Sequence, residues 1–209
     1  MAIIVAIEEG ALGTVKAVSE DGSLFLFRPE YLPADTNGSV KRVALVAPLD
    51  ISDDLLFLAV EATVAEVRAV SLLARAEQFR FGLERKLAAK GISREATKVA
   101  IDRLEATGLL SDQRYAESWI RARLRTKIEG PRSLAAALSS RGVDRHAIKQ
   151  AIEVSLVADD AVAYRYEILT RIANKLGQSS ADRKAVRLAL SELGWKHGDI
   201  DDVLDDMGW

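Results

Sequence analysis

Three times along this chain of 209 residues an aliphatic residue is followed by three spacers, a Leu, three more spacers, a Gly and a hydrophobe. The copies are Leu83-Leu87-Gly91-Ile92, Leu134-Leu138-Gly142-Val143 and Val186-Leu190-Gly194-Trp195. The second begins 51 residues after the first and the third 52 after the second. Self-similarity at a nearly fixed period is the mark of a repeat architecture. Apolar residues four apart share a helix face, and a Gly just past the last of them supplies the left-handed backbone that closes a helix.

Each copy continues with a second apolar stripe, at Ala100 and Ile101, Ala151 and Ile152, and Val203 and Leu204. Ser93 and Asp144 stand where the next helix needs an N-cap. In the third copy that place is held by Lys196, so the cap is expected nearer Asp199. With the helix-prone segment before each motif, the unit becomes about three short helices. The fold expected is mainly α: three tandem three-helix repeats preceded by a small β-rich N-terminal module. The divisions are 1–50 for the β-rich module, 51–76 for a linking helix, 71–110 for repeat 1, 111–157 for repeat 2 and 158–209 for repeat 3.

The first fifty residues carry a period nearer two. Thr14 to Val18 and Ser23 to Phe27 flank the turn signal Glu20-Asp21-Gly22, residues 2 to 7 add a strand, and Val43 to Val46 another before Pro48. Asp50, Ser52, Asp53 and Asp54 suit the start of a long helix running from 53 to 76. Cysteine is absent, which removes disulfides and thiolate metal sites. Apolar runs such as Leu55 to Val60 are far short of the roughly 20 residues that span a bilayer. Glu8 and Glu9 replace the basic head of a secretory signal, so a bacterial cytoplasmic location is expected.

The net charge of −2 hides a strong unevenness. Residues 1–70 carry −6, residues 71–150 carry +8 and residues 151–209 carry −4. A basic centre between acidic flanks is an electrostatic footprint for a polyanion or an acidic protein surface. On a helical projection Tyr115, Ala116, Trp119, Ile120, Ala122 and Leu124 form a core arc, and Arg114, Arg121 and Arg125 cluster opposite as a ridge. Arg123 projects into the apolar arc, which places it in an inter-repeat seam or with its head stretched outward. Gly130-Pro131 stops this helix, and Pro131 suits the first turn of the next. A charged stripe is also what an ordinary solvated helix face looks like, and Tyr115, Trp119 and Trp195 read as core residues rather than stacking platforms.

The stretch Asp112-Gln113-Arg114-Tyr115-Ala116, then Arg121, Arg123 and Arg125, then Gly130-Pro131-Arg132 and the Leu-x-x-x-Leu-x-x-x-Gly ending resembles the RecX family, bacterial regulators of the RecA recombinase. Leu72 to Arg75, Leu83 to Leu87 and Lys90-Gly91-Ile92 resemble that family's first repeat, and the likeness covers about 140 residues. Phe79 stands where the family often has a capping Ser, and Gly82 where it often has Glu.

The resemblance implies a modulator that contacts neighbouring subunits of its target; separately, a monomer with no catalytic activity, no cofactor and no metal is expected. It would bind the RecA-type recombinase filament and contact DNA nonspecifically through phosphates. It would mainly inhibit recombinase and ATPase activity. The contact residues expected are Arg114, Arg121, Arg125, Arg132, Lys127, Arg80, Arg85, Lys86 and Lys90. A DNA-binding helical-repeat protein with no recombinase partner is the alternative. Catalysis has little support: His146 and His197 are the only histidines, each near a helix start among acids, and no phosphate loop or paired-His metal motif occurs.

Overall fold

The structure is a computed structural model that describes residues 1–32, 47–127, 129–157, 162–177 and 182–209. These fall into two compact units, Met1–Leu110 and Ser111–Trp209.

In the first unit, β1 (Ala2–Glu9), β2 (Val15–Ser19), β3 (Leu24–Phe27) and β4 (Leu49–Ile51) form an antiparallel sheet in the order β3-β2-β1-β4. The β2–β3 hairpin turns at Gly22 (φ 82°), where the Asp21 carboxylate accepts from the Ser23 amide at 3.0 Å. The strand expected at Val43 to Val46 lies outside the described residues. The fourth strand instead pairs Leu49, Asp50 and Ile51 with β1, so Asp50 belongs to the sheet and the helix begins after Ser52.

That helix, α1 (Asp53–Leu73), is capped by the Ser52 hydroxyl, which accepts from the Leu55 amide. It ends three residues before the 76 expected from sequence. It does more than link: with α2 (Arg80–Ala88) and α3 (Arg94–Ala106) it forms a three-helix unit, α1 packing on α3 most extensively. The reason lies in its small residues. Ala59, Ala62, Ala65 and Ala69 are buried and permit close packing against α3 and the sheet residues Ile4, Ala17 and Phe27, all in one core. A buried carboxylate fixes the sheet module to this helix. Glu66, 6 % exposed, accepts from Arg28 Nε at 2.6 Å and Tyr31 Oη at 2.7 Å, with Arg103 Nε at 3.7 Å. Burial and the Glu66 carboxylate together push the Tyr31 phenol far above its ordinary value. A buried carboxylate is tolerated because its oxygens are answered by donors.

In the second unit, α4 (Asp112–Thr126), α5 (Pro131–Ser139) and α6 (Arg145–Ile152) make one repeat, followed by a π turn at Glu153–Val157. The next is α7 (Val162–Gly177), α8 (Arg183–Glu192) and α9 (His197–Asp206). The three sequence motifs close their helices identically. Gly91, Gly142 and Gly194 sit at φ 77°, 88° and 93°. The amides of Ile92, Val143 and Trp195 return to the carbonyls of Leu87, Leu138 and Leu190, each at 3.3 Å. This is the Schellman arrangement, and the hydrophobe after each Gly is buried. Ser93 and Asp144 cap α3 and α6 as expected. The third copy differs from its expectation: α9 begins at His197 with Lys196 at the N-cap and no side-chain cap, and Asp199 lies inside the first turn.

The two repeats of the second unit are joined by backbone. The Gly130 amide donates to Leu193 O at 2.7 Å and the Arg132 amide to Gly194 O at 3.2 Å. A Cβ at Gly130 would come within 2.5 Å of Trp195 N, and one at Gly194 within 2.5 Å of Ser133 Oγ. Both positions therefore need glycine for close approach, and Gly194 needs it for φ as well.

Candidate nucleic-acid interface of the middle repeat

Helix α4 forms where the sequence supplies a cap and a stripe. The Ser111 hydroxyl accepts from the Arg114 amide at 3.2 Å, and Asp112 occupies the positive first turn. Asp112 also accepts from the Asp144 amide at 3.0 Å, which ties the start of α4 to the start of α6. Ala116, Ile120 and Leu124 are fully buried, as the projection requires. Tyr115 and Trp119 are half-buried, and Ala122, expected in the core arc, is exposed. The arc is thus narrower than the sequence implies.

Arg114, Arg121 and Arg125 are exposed on α4, followed by exposed Lys127 and by Arg132 in the first turn of α5. Seven residues separate Arg114 from Arg121 and four more reach Arg125, a run of about 16 Å at the helical rise. Among the described residues the side chains of Arg121, Arg125, Lys127 and Arg132 have no intramolecular ion pair or hydrogen bond. Their charge is therefore available to a ligand.

Arg123 behaves otherwise. Its Nε and Nη2 donate to Glu129 at 2.9 and 2.7 Å, and its guanidinium lies 5.3 Å from the Trp119 ring centroid. These hydrogen bonds hold the Glu129 carboxyl below the ordinary carboxylate value. A second guanidinium, that of Arg141, lies 5.2 Å from the same ring. Arg123 is thus spent within its own repeat, by a pair and a cation–π contact. Sequence reasoning overlooked Arg141, since nothing in a residue preceding the repeat glycine signals an aromatic partner 22 positions upstream.

The first-repeat candidates fare differently from the middle set. Arg80 is only partly exposed, and its guanidinium bonds Glu84, Asp102 and Glu105. Three carboxylates neutralise it, so it is a structural cation rather than a contact residue. Lys86 Nζ donates to Gln78 at 2.6 Å, and Arg85 lies 6.0 Å from the Phe81 ring. Lys90 is exposed. Phe79 is at the N-cap of α2 without a side-chain cap, which matches the departure noted in sequence. Its ring occupies the space beside Gly82, where a Cβ would come within 2.7 Å of it.

Acids of the last helix have partners on the two helices before it. Arg165 lies 3.6 Å from Asp199, Arg187 bonds Asp201 through two nitrogens at 2.7 and 3.0 Å, and Arg183 pairs with Asp205 at 2.6 Å. Tyr166 donates to Asp206 at 2.9 Å. The hydrogen bonds from Arg187 hold the Asp201 carboxyl below its ordinary value. His146 and His197 are exposed near the starts of α6 and α9. Among the described residues no group of three or more His, Asp or Glu is placed to hold a metal ion, and no helix is long and apolar enough to cross a membrane.

Residues 111–152 match the family model described as the second three-helix domain of RecX. A regulatory protein RecX from Pseudomonas putida is 42 % identical over 118 residues, which are 56 % of this chain and 80 % of that protein. One from Pseudomonas entomophila strain L48 is 44 % identical over 89 residues, 43 % of this chain and 57 % of that protein. The chain thus spans little more than half the length of some of these relatives. A crystal structure of a regulatory protein RecX superposes with a TM-score of 0.67 at 18 % identity, over 98 % of this chain and all of the other, which establishes the shared fold.

Proposed function

The chain belongs to the RecX family of regulatory proteins, and from that premise we propose that it binds a RecA-type recombinase filament on DNA and restrains its recombinase and ATPase activity. The observation that carries the reading is the contrast in arginine fates. The side chains of Arg121, Arg125, Lys127 and Arg132 have no hydrogen bond or ion pair among the described residues, while Arg123, Arg183 and Arg187 are paired internally. Unpaired, solvated cations on one short helix and the turn after it are free to bond phosphates, and guanidinium supplies a planar donor fork for them.

The proposed action needs no catalysis, cofactor or metal, only binding, and takes place in the bacterial cytoplasm by a monomer. Contact is nonspecific, since phosphate contacts carry no sequence information. Lys90 and Arg85 of the first repeat, both exposed, add to the same interaction, with Lys86 in a lesser part.

The test is inhibition of a RecA-type recombinase's DNA-dependent ATPase at protein concentrations too low to coat the DNA. Wild type should inhibit, and the folded Arg121→Glu/Arg125→Glu variant should not. Inhibition by that variant at the wild-type level would remove the arginine ridge from the mechanism. DNA retention without any effect on the ATPase would favour the second reading, a DNA-binding repeat protein with no recombinase partner.

A further inference from the structure

At the joint between the two repeats of the second unit lies an open recess of about 490 Å3, lined by Pro131, Arg132, Ser191, Gly194, Trp195, Lys196 and His197. Its ionisable residues are all nitrogen donors. Arg132, Lys196 and His197 have exposed side chains, and none forms a side-chain hydrogen bond or ion pair among the described residues. No carboxylate belongs to the wall. Of the nearest acids in sequence, Asp199 faces Arg165 at 3.6 Å, Asp201 interacts electrostatically with His197 but is bonded by Arg187 through two nitrogens, and Glu192 is exposed outside the lining.

Two further features of the wall point the same way. Helix α9 starts here with Lys196 at its N-cap, a residue that cannot accept a hydrogen bond, so its first-turn amides have no side-chain cap. Gly198 in that turn has nothing within 4 Å of where a Cβ would be, which leaves the turn open. Independently, Trp195 is 3 % exposed and its indole Nε1 has no hydrogen-bond partner among the described residues. A buried donor without a partner is uncommon and asks for an acceptor. The recess also cannot collapse readily, because the backbones of Arg132 and Gly194 in its wall are hydrogen-bonded to each other across the joint.

We propose that this recess is a phosphate site, in which Arg132, Lys196 and His197 hold one phosphate group of a DNA strand. The inference rests on the reading that the middle repeat binds DNA, and deepens it by adding a contact from the third repeat. Arg132 is common to both surfaces. Three donors from two helix starts suit a tetrahedral oxyanion with acceptors on every side, and a positive helix end favours the negative charge. His197 can donate an N–H whether or not it is protonated.

Two measurements on the full chain decide it. In the first, binding of a fluorescent single-stranded oligonucleotide is followed by anisotropy across a salt series for wild type, Lys196→Ala/His197→Ala and Arg121→Glu/Arg125→Glu. Loss of one phosphate contact should lower the slope of log K against log salt by roughly 0.7 in the Lys196→Ala/His197→Ala variant. An unchanged slope and affinity there, with binding lost in the Arg121→Glu/Arg125→Glu variant, overturns the recess and leaves the middle-repeat reading intact. If wild type does not bind the oligonucleotide at all, both the strand assignment and the DNA reading fall.

In the second, inorganic phosphate is titrated against matched chloride while the Trp195 indole N–H resonance is followed, with Trp119 and Trp209 as internal references. A phosphate-specific shift that disappears in Lys196→Ala/His197→Ala supports the site. No shift overturns it. A shift accompanied by unaltered oligonucleotide binding in that variant overturns the assignment to DNA and leaves a site for a free anion.

Discussion

The middle and third repeats share a core and differ in what their arginines do. Leu134, Leu138 and Val143 of one correspond to Val186, Leu190 and Trp195 of the other, all buried, with the same glycine and the same 3.3 Å closing bond. On the surface the third repeat matches Arg165, Arg183 and Arg187 with Asp199, Asp205 and Asp201, whereas in the middle repeat Arg123 pairs with Glu129 while Arg121 and Arg125 have no side-chain ion pair or hydrogen bond among the described residues. A repeat can therefore keep its packing and exchange its role by gaining or losing carboxylates on one helix. In the third copy acids of α9 pair with one arginine of α7 and two of α8. In the middle copy α6 brings no such row.

The likeness breaks first in the core, if it breaks. Leu138→Ala and Leu190→Ala each remove a fully buried side chain, and each should cost about 2–5 kcal/mol in denaturant unfolding. A large loss in one copy and none in the other would end the equivalence of the two cores. The glycines sharpen it next. Gly91→Ala meets open space and should cost about 1–2 kcal/mol for the left-handed backbone alone. Gly194→Ala would also set a Cβ 2.7 Å from Ser133 N, adding about 1–3 kcal/mol of overpacking. Equal costs at the two sites would mean the joint between the repeats gives way freely.

Smaller effects separate the surfaces. Arg121→Glu/Arg125→Glu should leave the unfolding midpoint where it is, while Arg183→Glu/Arg187→Glu should lower it, because only the second pair loses ion pairs and gains repulsion from Asp201 and Asp205. The least effect is that of acid. Asp201 and Glu129 both have folded values below their ordinary ones, 3.8 and 4.5, chiefly through hydrogen bonds from Arg187 and Arg123. Each contributes stability that is present above the ordinary value and fades as pH falls through the lowered one. Below about pH 4 the urea midpoint of wild type should therefore drop more than that of Arg187→Ala/Arg123→Ala. Parallel drops would show that these pairs do not stabilise the fold.

Much of this was legible in the chain because the repeat writes its geometry locally. Leu83 to Ile92 holds a helix face, a terminator and a fold-back hydrophobe within ten residues, and Ser93, Asp144 and Pro131 mark the helix starts they were expected to mark. What stayed hidden depends on distant partners. Arg80 reads as a free cation until α3 brings Asp102 and Glu105 beside it. The strand Leu49–Ile51 alternates over only three residues, too few to signal a strand, and exists because β1 offers an edge. Lys196 looks like a poor helix start, and it is one; α9 begins there because Trp195, Ile200 and Leu204 are held in the core. Of the expected ridge, Arg121 and Arg125 follow from helical spacing alone, whereas the contact of Arg141 with Trp119 needed the turn between α5 and α6.

The hydrogen bonds from Gly130 and Arg132 to Leu193 and Gly194 also bear on modularity. A tandem array invites the idea of interchangeable cassettes, each cut at its boundary and moved without loss. Here the loop that opens one helix of the middle unit is stitched by its main chain to the turn that ends a helix of the next, across 63 residues of sequence. Removing the last unit would strand the Gly130 amide and bare the contact surface of Pro131. Grafting in a foreign unit would demand a glycine in the matching turn. The smallest transferable piece of this half of the molecule is the pair.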